Sequence, residues 1–216
     1  MDTFEKTPRN TVKRVPKRGH YDKASIYPIL DAAYICHVGF AHEGQPFVIP
    51  TAFGRSGDQI FLHGSTKSRM MMSLEQGIPA CITVTHIDAL VLARSTFHHS
   101  VNYRSAVIFG RGRALEGEEK MNALAVITDQ ILPGRWDEAR IPNAKELKAT
   151  TVIAIDIEQA SAKIRAAPPN DERADYELPV WAGLLPLRKG YDLPEADPLL
   201  RADIPMPESV LEALKP

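Results

Sequence analysis

Cysteine and long apolar runs are both scarce in this sequence, and each absence restricts the class of protein. Only two cysteines, Cys36 and Cys81, occur in 216 residues, and no CxxC spacing is present. A reduced protein fits this pattern better than a disulfide scaffold or a zinc site, and we interpret both cysteines as small buried side chains. No apolar stretch approaches the about 20 residues that span a membrane, and the N-terminus has no signal-peptide pattern. We therefore expect a soluble, cytoplasmic protein without a membrane partner.

The chain also lacks an excess of charge of either sign. Its 26 Lys and Arg residues nearly balance 27 Asp and Glu residues. A general nucleic-acid binder needs many phosphate contacts, so this balance argues against nucleic acid as a partner, whereas a local anion site needs only a few cations. Residues 1–19 are basic, and we expect an arm that is solvated or packs on a partner subunit. Contact with RNA or a membrane surface is the alternative.

Short β-prone runs separated by turn signals predict an antiparallel fold. The predicted strands are residues 33–41, 46–53, 59–63, 80–85, 90–95, 103–110 and 150–157. The links between the first three are too short for parallel crossovers. The fourth and fifth are predicted to pair with each other, Gly112 is a candidate bulge, and the seventh closes the set.

Helices are predicted around these strands. Asp22 can cap a helix that runs to about Leu30, and a second helix over residues 67–75 ends at a Gly-Ile-Pro stop. Residues 118–132 keep the apolar spacing of a helix. Together these elements indicate a barrel or sandwich with peripheral helices.

The C-terminal segment differs in composition from the rest. Nine of the 17 prolines lie between Pro168 and Pro216, yet the segment carries Trp181 and several leucines. We expect an extended segment that wraps over the barrel or over a partner chain. The predicted organisation is an arm over residues 1–19, a barrel domain over 20–167 and a wrapping segment over 168–216, which we call the tail.

Residues 60–69 place glycine, hydroxyls and cations where a strand passes into a helix. Gly64 allows close approach of a ligand, and the first turn of a helix presents N–H groups that suit a phosphate. The hydroxyl and cationic side chains there are Ser65, Thr66, Lys67, Ser68 and Arg69. An ordinary N-cap with solvated cations explains the same residues equally well. The GxxxxGK[ST] pattern of a Walker loop is absent.

Residues 97–105 bring two imidazoles, an amide, a phenol and a guanidinium to the start of a strand. Alternation places one set on one face, Ser100, Asn102 and Arg104, and another on the opposite face, His99, Val101, Tyr103 and Ser105. One such face can line a ligand cleft, although a structural hydrogen bond is the alternative for each histidine. Adjacent His98 and His99 make a poor metal site, and no GxSxG turn supports a hydrolase. Trp181 can stack on a flat ligand or anchor the tail.

Taken in order, these stretches resemble the pyridoxamine-phosphate-oxidase-related flavin-nucleotide-binding proteins, the branch that includes nitroimidazole-resistance reductases. The resemblance extends from about Arg18 to Pro207 and is carried by residues 46–51, 61–69, 90–105, 107–111, 161–165 and 181–187. It implies a mainly β protein with peripheral helices, a six-stranded antiparallel split β-barrel. It also implies a homodimer that holds flavin mononucleotide (FMN) in a groove at the subunit interface.

The resemblance also implies site residues. Pro50 and Thr51 would border the isoalloxazine through main-chain groups, and Thr83 would lie near the ring edge. The residues implied at the ribityl phosphate are His63, Ser65, Thr66, Lys67 and Ser68. Those implied to approach the cofactor from the same or the facing subunit are Asn102, Tyr103, Arg104 and Ser105, with Trp181 covering the ring. The Arg and His pattern of true pyridoxamine-phosphate oxidases does not match the tail, so vitamin B6 oxidation is not expected.

The leading hypothesis is an FMN-dependent oxidoreductase that acts on a small organic substrate, with the redox chemistry carried by the flavin. His99 and Tyr103 are the candidates for proton delivery, and no metal site is expected. One alternative is a flavin-binding protein that stores flavin or relays electrons without its own catalytic cycle. The other is a haem-binding relative on the same barrel, with His63, His86, His98 or His99 as the axial ligand.

Overall fold

The computed structural model describes residues 2–215. Its strands are β1 (Gly19–His20), β2 (Ile35–His42), β3 (Gln45–Ser56), β4 (Gln59–Ser65), β5 (Pro79–Leu92), β6 (Ser100–Ala114), β7 (Thr150–Asp156), β8 (Gln159–Arg165) and β9 (Gly183–Pro186). Its α-helices are α1 (Lys23–Asp31), α2 (Arg69–Glu75), α3 (Gly117–Ile131), α4 (Arg135–Glu138), α5 (Ala144–Ala149) and α6 (Glu208–Ala213). No helix within this range is long and apolar enough to cross a membrane.

Six of the strands form a closed antiparallel ring in the order β5, β2, β3, β4, β7, β6, and β6 pairs again with β5. The long strand β6 makes closure possible, because its first part pairs with β5 and its last residues, from Gly112, pair with β7. Strand β8 extends the sheet by pairing with β6. Strand β1 pairs with β8, and β9 pairs with β5. The predicted six-stranded split barrel is confirmed.

The barrel interior holds the main core. Inward-facing residues such as Phe53, Leu62 and Ile108 are completely buried, as alternation along the strands requires. A smaller cluster, centred on Phe61 and Ile127, lies where α3 covers the outside of β3, β4 and β7. Helix α3 therefore gives that half of the barrel a second apolar layer.

The two cysteines have different surroundings. Cys36 is fully buried in the core, and this burial raises the pKa of its thiol to about 12. Such a thiol is not a nucleophile near neutral pH. Cys81 is only half-buried, so the expectation of burial is confirmed for Cys36 alone.

The predicted helices are present, with small changes at their ends. Asp22 caps α1 by accepting a hydrogen bond from the Ser25 amide at 2.8 Å. Helix α2 begins at Arg69 rather than Lys67, because Ser68 takes the N-cap position. Helix α3 occupies the predicted residues 118–132 to within one residue at each end.

The predicted pairing of residues 80–85 with 90–95 is wrong. Both belong to the single strand β5, whose pairing with β6 shifts register at Asp88. The Asp88 carboxylate is held by the Arg104 guanidinium at 2.8 Å. One polar bulge residue therefore interrupts the apolar alternation without ending the strand.

Two further expectations about the strands are corrected. Residues 150–157 do not close the set, because β8 follows at once, with small residues that give little apolar signal but are buried against β6. Gly112 is not a bulge. It lies where β6 passes from β5 to β7, and a Cβ there would approach the Leu74 carbonyl oxygen to 2.7 Å. Close approach of α2 to the strand is the reason for the glycine.

The N-terminal arm packs on its own barrel. The Asn10 side chain donates to the Ala160 carbonyl at 3.1 Å, and the Arg9 guanidinium donates to Gln159 at 2.9 Å. The tail also follows the barrel surface. Its strand β9 pairs antiparallel with β5, and the Ser209 amide of α6 donates to Glu138 of α4 at 2.9 Å.

Candidate functional site

The loop between β4 and α2 uses part of its polar groups for its own structure. Ser65 accepts from the Lys67 amide at 3.2 Å, and Ser68 accepts from the Met71 amide at 3.5 Å as the N-cap of α2. These bonds correspond to the N-cap alternative. The Lys67 ammonium is exposed, however, and pairs with no carboxylate in the described part of the chain. Thr66 and Lys67 are thus the groups of this loop that remain available to an anion.

A polar pocket of ≈330 Å³ adjoins Thr66. Lys120 of α3, which is nearly buried, and Lys148 of α5 line it together with two carboxylates, Glu75 and Glu116. The sequence analysis missed both lysines, because helices that lie far from residue 66 along the chain bring them there. Mixed charge makes this pocket less suited to a phosphate than the open side of the loop.

His63 lies near this loop on the outward side of β4. Its Nδ1 atom is buried and has no hydrogen-bond partner among the described residues. Burial lowers the pKa of the imidazole, so the ring is neutral near pH 7. A neutral imidazole with a free nitrogen can bind a ligand donor or a metal ion.

The outer face of the sheet aligns several predicted residues in one row. Pro50, His37, Thr83, Val107 and Ser161 are neighbours across five strands. Pro50 and Thr83 therefore share one face, as expected for two residues beside a flat ring. His37, between them and exposed, was not predicted, since nothing in the local sequence marks it.

Two of the polar residues in the 97–105 segment are engaged within the chain. The Arg104 guanidinium forms a bidentate ion pair with the Asp88 carboxylate. This pairing raises the pKa of Arg104 and lowers that of Asp88. Asn102 is buried, and its carboxamide oxygen accepts from the Arg165 guanidinium and from the Ala167 amide. Both side chains hold the strand end and tail in place, so their implied cofactor contacts remain predictions.

Tyr103 and Ser105 lie on the opposite, outer face of β6. The Ser105 hydroxyl donates to the Lys163 carbonyl at 3.3 Å. His99 precedes Tyr103 by four residues of extended chain, roughly 13 Å. Their shared role in proton delivery therefore remains a prediction.

The turn before β6 orients His99. Its Nδ1 lies 3.0 Å from the Ser95 carbonyl oxygen, so Nδ1–H donates and Nε2 remains free. Asp171 of the tail holds the same turn by accepting from the Arg94 and Ser95 amides at 3.0 and 3.2 Å. Phe97 projects from this turn with 87% of its surface exposed. The same turn therefore carries an oriented imidazole and an exposed aromatic ring, which are suitable contacts for a flat apolar ligand.

Trp181 is not a core anchor, because 68% of its surface is exposed. Its ring packs against Gly183, where an added Cβ would come within 2.9 Å of the indole. Its role as a lid over the cofactor remains a prediction.

The histidines differ in their fitness as axial ligands for haem. His86 is unsuitable, because its Nε2 bonds the Ile29 carbonyl and its Nδ1 bonds Lys189. His98 lies 3.7 Å from Glu172 and meets the Phe97 ring edge-on. His63 and His99 each have a free nitrogen, and only His99 also has the backbone hydrogen bond that typically orients a ligating imidazole. Among residues 2–215, no cluster of three or more His, Cys, Asp or Glu side chains could hold a free metal ion.

Comparison with known proteins agrees with this architecture. The sequence profile of the pyridoxamine 5'-phosphate oxidase family matches residues 22–164. The structure of the flavocytochrome Anf3 from Azotobacter vinelandii is similar with a TM-score of 0.88 and 40% identity, over 96% of this chain and 97% of that chain. The FAD and heme binding protein from Mycobacterium smegmatis is similar with a TM-score of 0.87 and 35% identity, over 91% and 97%.

A third structure resembles a smaller part of the chain. It is a protein assigned to 5-nitroimidazole antibiotic resistance, from Bacteroides thetaiotaomicron, with a TM-score of 0.55 and 25% identity over 66% of this chain and 84% of that chain. No curated protein sequence matches significantly. The fold and site are those of a split-barrel protein with an open sheet face and an anion-accessible loop. The chain belongs to the pyridoxamine 5'-phosphate oxidase family.

Proposed function

We propose that this protein is a flavin-binding oxidoreductase that also binds haem. The observation that carries the proposal is the extent of the similarity. The two structures whose names include a haem or a cytochrome match 96% and 91% of this chain, and the nitroimidazole-resistance relative matches 66%. The two structures named for haem or a cytochrome therefore match nearly the whole chain, including the residues from 165 onward that lie beyond the family profile.

The flavin part of the proposal rests on the β4–α2 loop and the outer sheet face. Lys67 and Thr66 supply a cation and a hydroxyl for a phosphate, and the row through Pro50 and Thr83 offers a flat surface for the ring. Bound flavin would supply hydride and single-electron chemistry. FMN was expected from the sequence, and the Mycobacterium relative is named for FAD, so either form is compatible with this loop.

The haem part of the proposal rests on His99. Its donated Nδ1–H fixes the ring and makes Nε2 the more basic nitrogen, which suits an axial ligand. Phe97 provides apolar surface beside it, and the tail residue Asp171 holds the turn. This arrangement connects the tail directly to the candidate ligand.

The proposal predicts that His99→Ala abolishes the spectrum of axially ligated haem. The purified variant, supplied with haem, should lose the Soret shift seen in the unchanged protein, and added imidazole should restore it by filling the space left. His42→Ala is a matched control, because His42 also has its Nδ1 hydrogen-bonded, to Ser73 at 3.0 Å, but lies in the β2–β3 hairpin. An unchanged Soret band in His99→Ala together with a lost band in His63→Ala would assign the ligand to His63 instead.

A further inference from the structure

The basic N-terminal arm forms one wall of a pocket that adjoins the proposed flavin surface and shares Val107 and Ser161 with it, but its cations have no part in the proposed function. The pocket has a volume of ≈270 Å³ and lies between the arm and the outer face of β6 and β8. Its cationic lining residues are Arg9, Lys13, Arg14 and Lys163, and no carboxylate lines it. Four cations without a carboxylate make an environment that favours a polyanion.

Three of these cations are free to bind a ligand. Arg9 is engaged, because it pairs with Glu158 at 3.3 Å and lies over the Phe109 ring at 4.9 Å. Lys13, Arg14 and Lys163 form no ion pair with any carboxylate in residues 2–215. Their charge is therefore not neutralised by a carboxylate of the described residues.

The floor of the pocket adds hydroxyl groups. Ser161 is 6% exposed, lines the pocket, and makes no side-chain hydrogen bond to another described residue. Ser105 lies on the neighbouring strand in the same lining. Because both serines line the pocket, their hydroxyls can contact a ligand that enters it.

The arm holds this shape at a conformational cost. Val15, one residue after the cations Lys13 and Arg14, adopts the left-handed region with φ 55°, which a β-branched residue rarely does. Such strain persists where surrounding contacts fix it, and it is frequent at binding sites. The contacts of Asn10 and Arg9 with β8 provide that support here.

A further cation of β8, Arg165, does not line the pocket but lies near Arg18 of the arm. The nearly buried Arg165 guanidinium is bound by the Asn102 carboxamide and by the carbonyls of Ala167 and Pro168, without a carboxylate. Burial and then the nearby Arg18 lower its pKa.

We propose that this pocket binds the phosphate groups of a nucleotide. Its volume is below the roughly 300–1,000 Å³ of pockets that enclose a whole small molecule, so it fits a pyrophosphate with the rest of the ligand lying outside. Lys13, Arg14 and Lys163 neutralise the phosphates, and Ser161 donates a hydrogen bond. The inference rests on the arm and on β8, and it is independent of haem binding.

The test measures the binding of ADP to the full chain by calorimetry at physiological salt. Saturable binding is expected, and Lys163→Gln and the pair Lys13→Gln and Arg14→Gln should each weaken it about tenfold or more. Lys17→Gln is the matched control, because Lys17 is exposed on the same arm but does not line the pocket, and it should change the affinity less than about twofold. No saturable ADP binding, or an equal loss in Lys17→Gln, overturns the proposal.

A second part of the experiment identifies the source of the phosphates. If they belong to bound FAD, the pocket variants weaken FAD but not FMN, and ADP competes with FAD. If they belong to a free nucleotide, ADP binds to the flavin-loaded protein, and the variants leave both flavin affinities unchanged. Both results support a nucleotide-phosphate site, and variants that affect neither ADP nor FAD contradict it.

Discussion

Lys67 and Arg69 lie two residues apart, yet their surroundings differ. Arg69 lies over the Phe47 ring at 4.6 Å, whereas Lys67 is exposed and has no carboxylate partner within the described residues. A cation already stacked on an aromatic ring is less available to a ligand than a free one. The structure therefore favours Lys67 over Arg69 as the cation for the proposed flavin phosphate.

Lys67→Ala should therefore lower the affinity for FMN or FAD about 10- to 100-fold, because a charge-assisted contact to phosphate contributes about 1.5–3 kcal/mol. Titration of the apoprotein, followed by flavin fluorescence, measures this affinity. Arg69→Ala is the control and should change affinity less than about threefold. Undiminished affinity in Lys67→Ala would remove the loop from the flavin site.

Residues in local patterns could be predicted from the sequence, and residues gathered from distant elements could not. Asp22 was predictable as a cap because its bond is to Ser25, three residues on. His37 became a site candidate only through its pairing with Pro50 and Thr83 across strands. Lys120 likewise reaches Thr66 only in the folded chain.

At the scale of elements, the tail is tied to the turn that carries His99. Asp171 is almost fully buried. Burial alone would raise its pKa, but bonds from the Arg94 and Ser95 amides and from the Arg94 guanidinium lower it. A carboxylate with a lowered pKa stabilises the folded state above its unfolded pKa, near 3.9, and this contribution is lost as the pH falls through the folded value.

Asp171→Asn should accordingly lower the melting temperature by several degrees at pH 7. The difference from the unchanged protein should persist down to about pH 5 and shrink as the pH falls below about 4. Thermal melts followed by circular dichroism across this range measure it. Asp197→Asn, in an exposed part of the tail, is the control and should leave the melting temperature unchanged. A difference that does not depend on pH would contradict the role of the charge.

Strand boundaries were the part of the fold least predictable from the sequence. Strand β5 continues through a polar bulge at Asp88 because Arg104 on the neighbouring strand pairs with it. Strand β8 contains Ala160, Ser161 and Ala162, whose burial depends on packing against β6 rather than on their own hydrophobicity. Both features are set by tertiary partners.

At the scale of the whole molecule, the outer sheet face is the proposed dimer interface. Val48 is 67% exposed there, beside the row that contains His37 and Pro50. An exposed apolar residue on a flat sheet face is suited to an isologous contact with a second copy. A homodimer would also enclose the proposed flavin surface.

Light scattering should give a mass of twice 23.9 kDa. Val48→Asp should shift the protein toward monomer and weaken flavin binding, because a carboxylate would be buried at the interface. Leu193→Asp, at an exposed tail position, is the control and should leave the mass unchanged. A monomeric unchanged protein that still binds flavin would contradict the interface.

The most direct measurement of the central claim is the absorption spectrum of the purified protein, with mass identification of the groups that denaturation releases. The account predicts flavin absorption together with a Soret band, and FMN or FAD together with haem among the released groups. Flavin without a Soret band, even after haem is added, would contradict the haem part. A protein that binds neither group would contradict the proposed function as a whole.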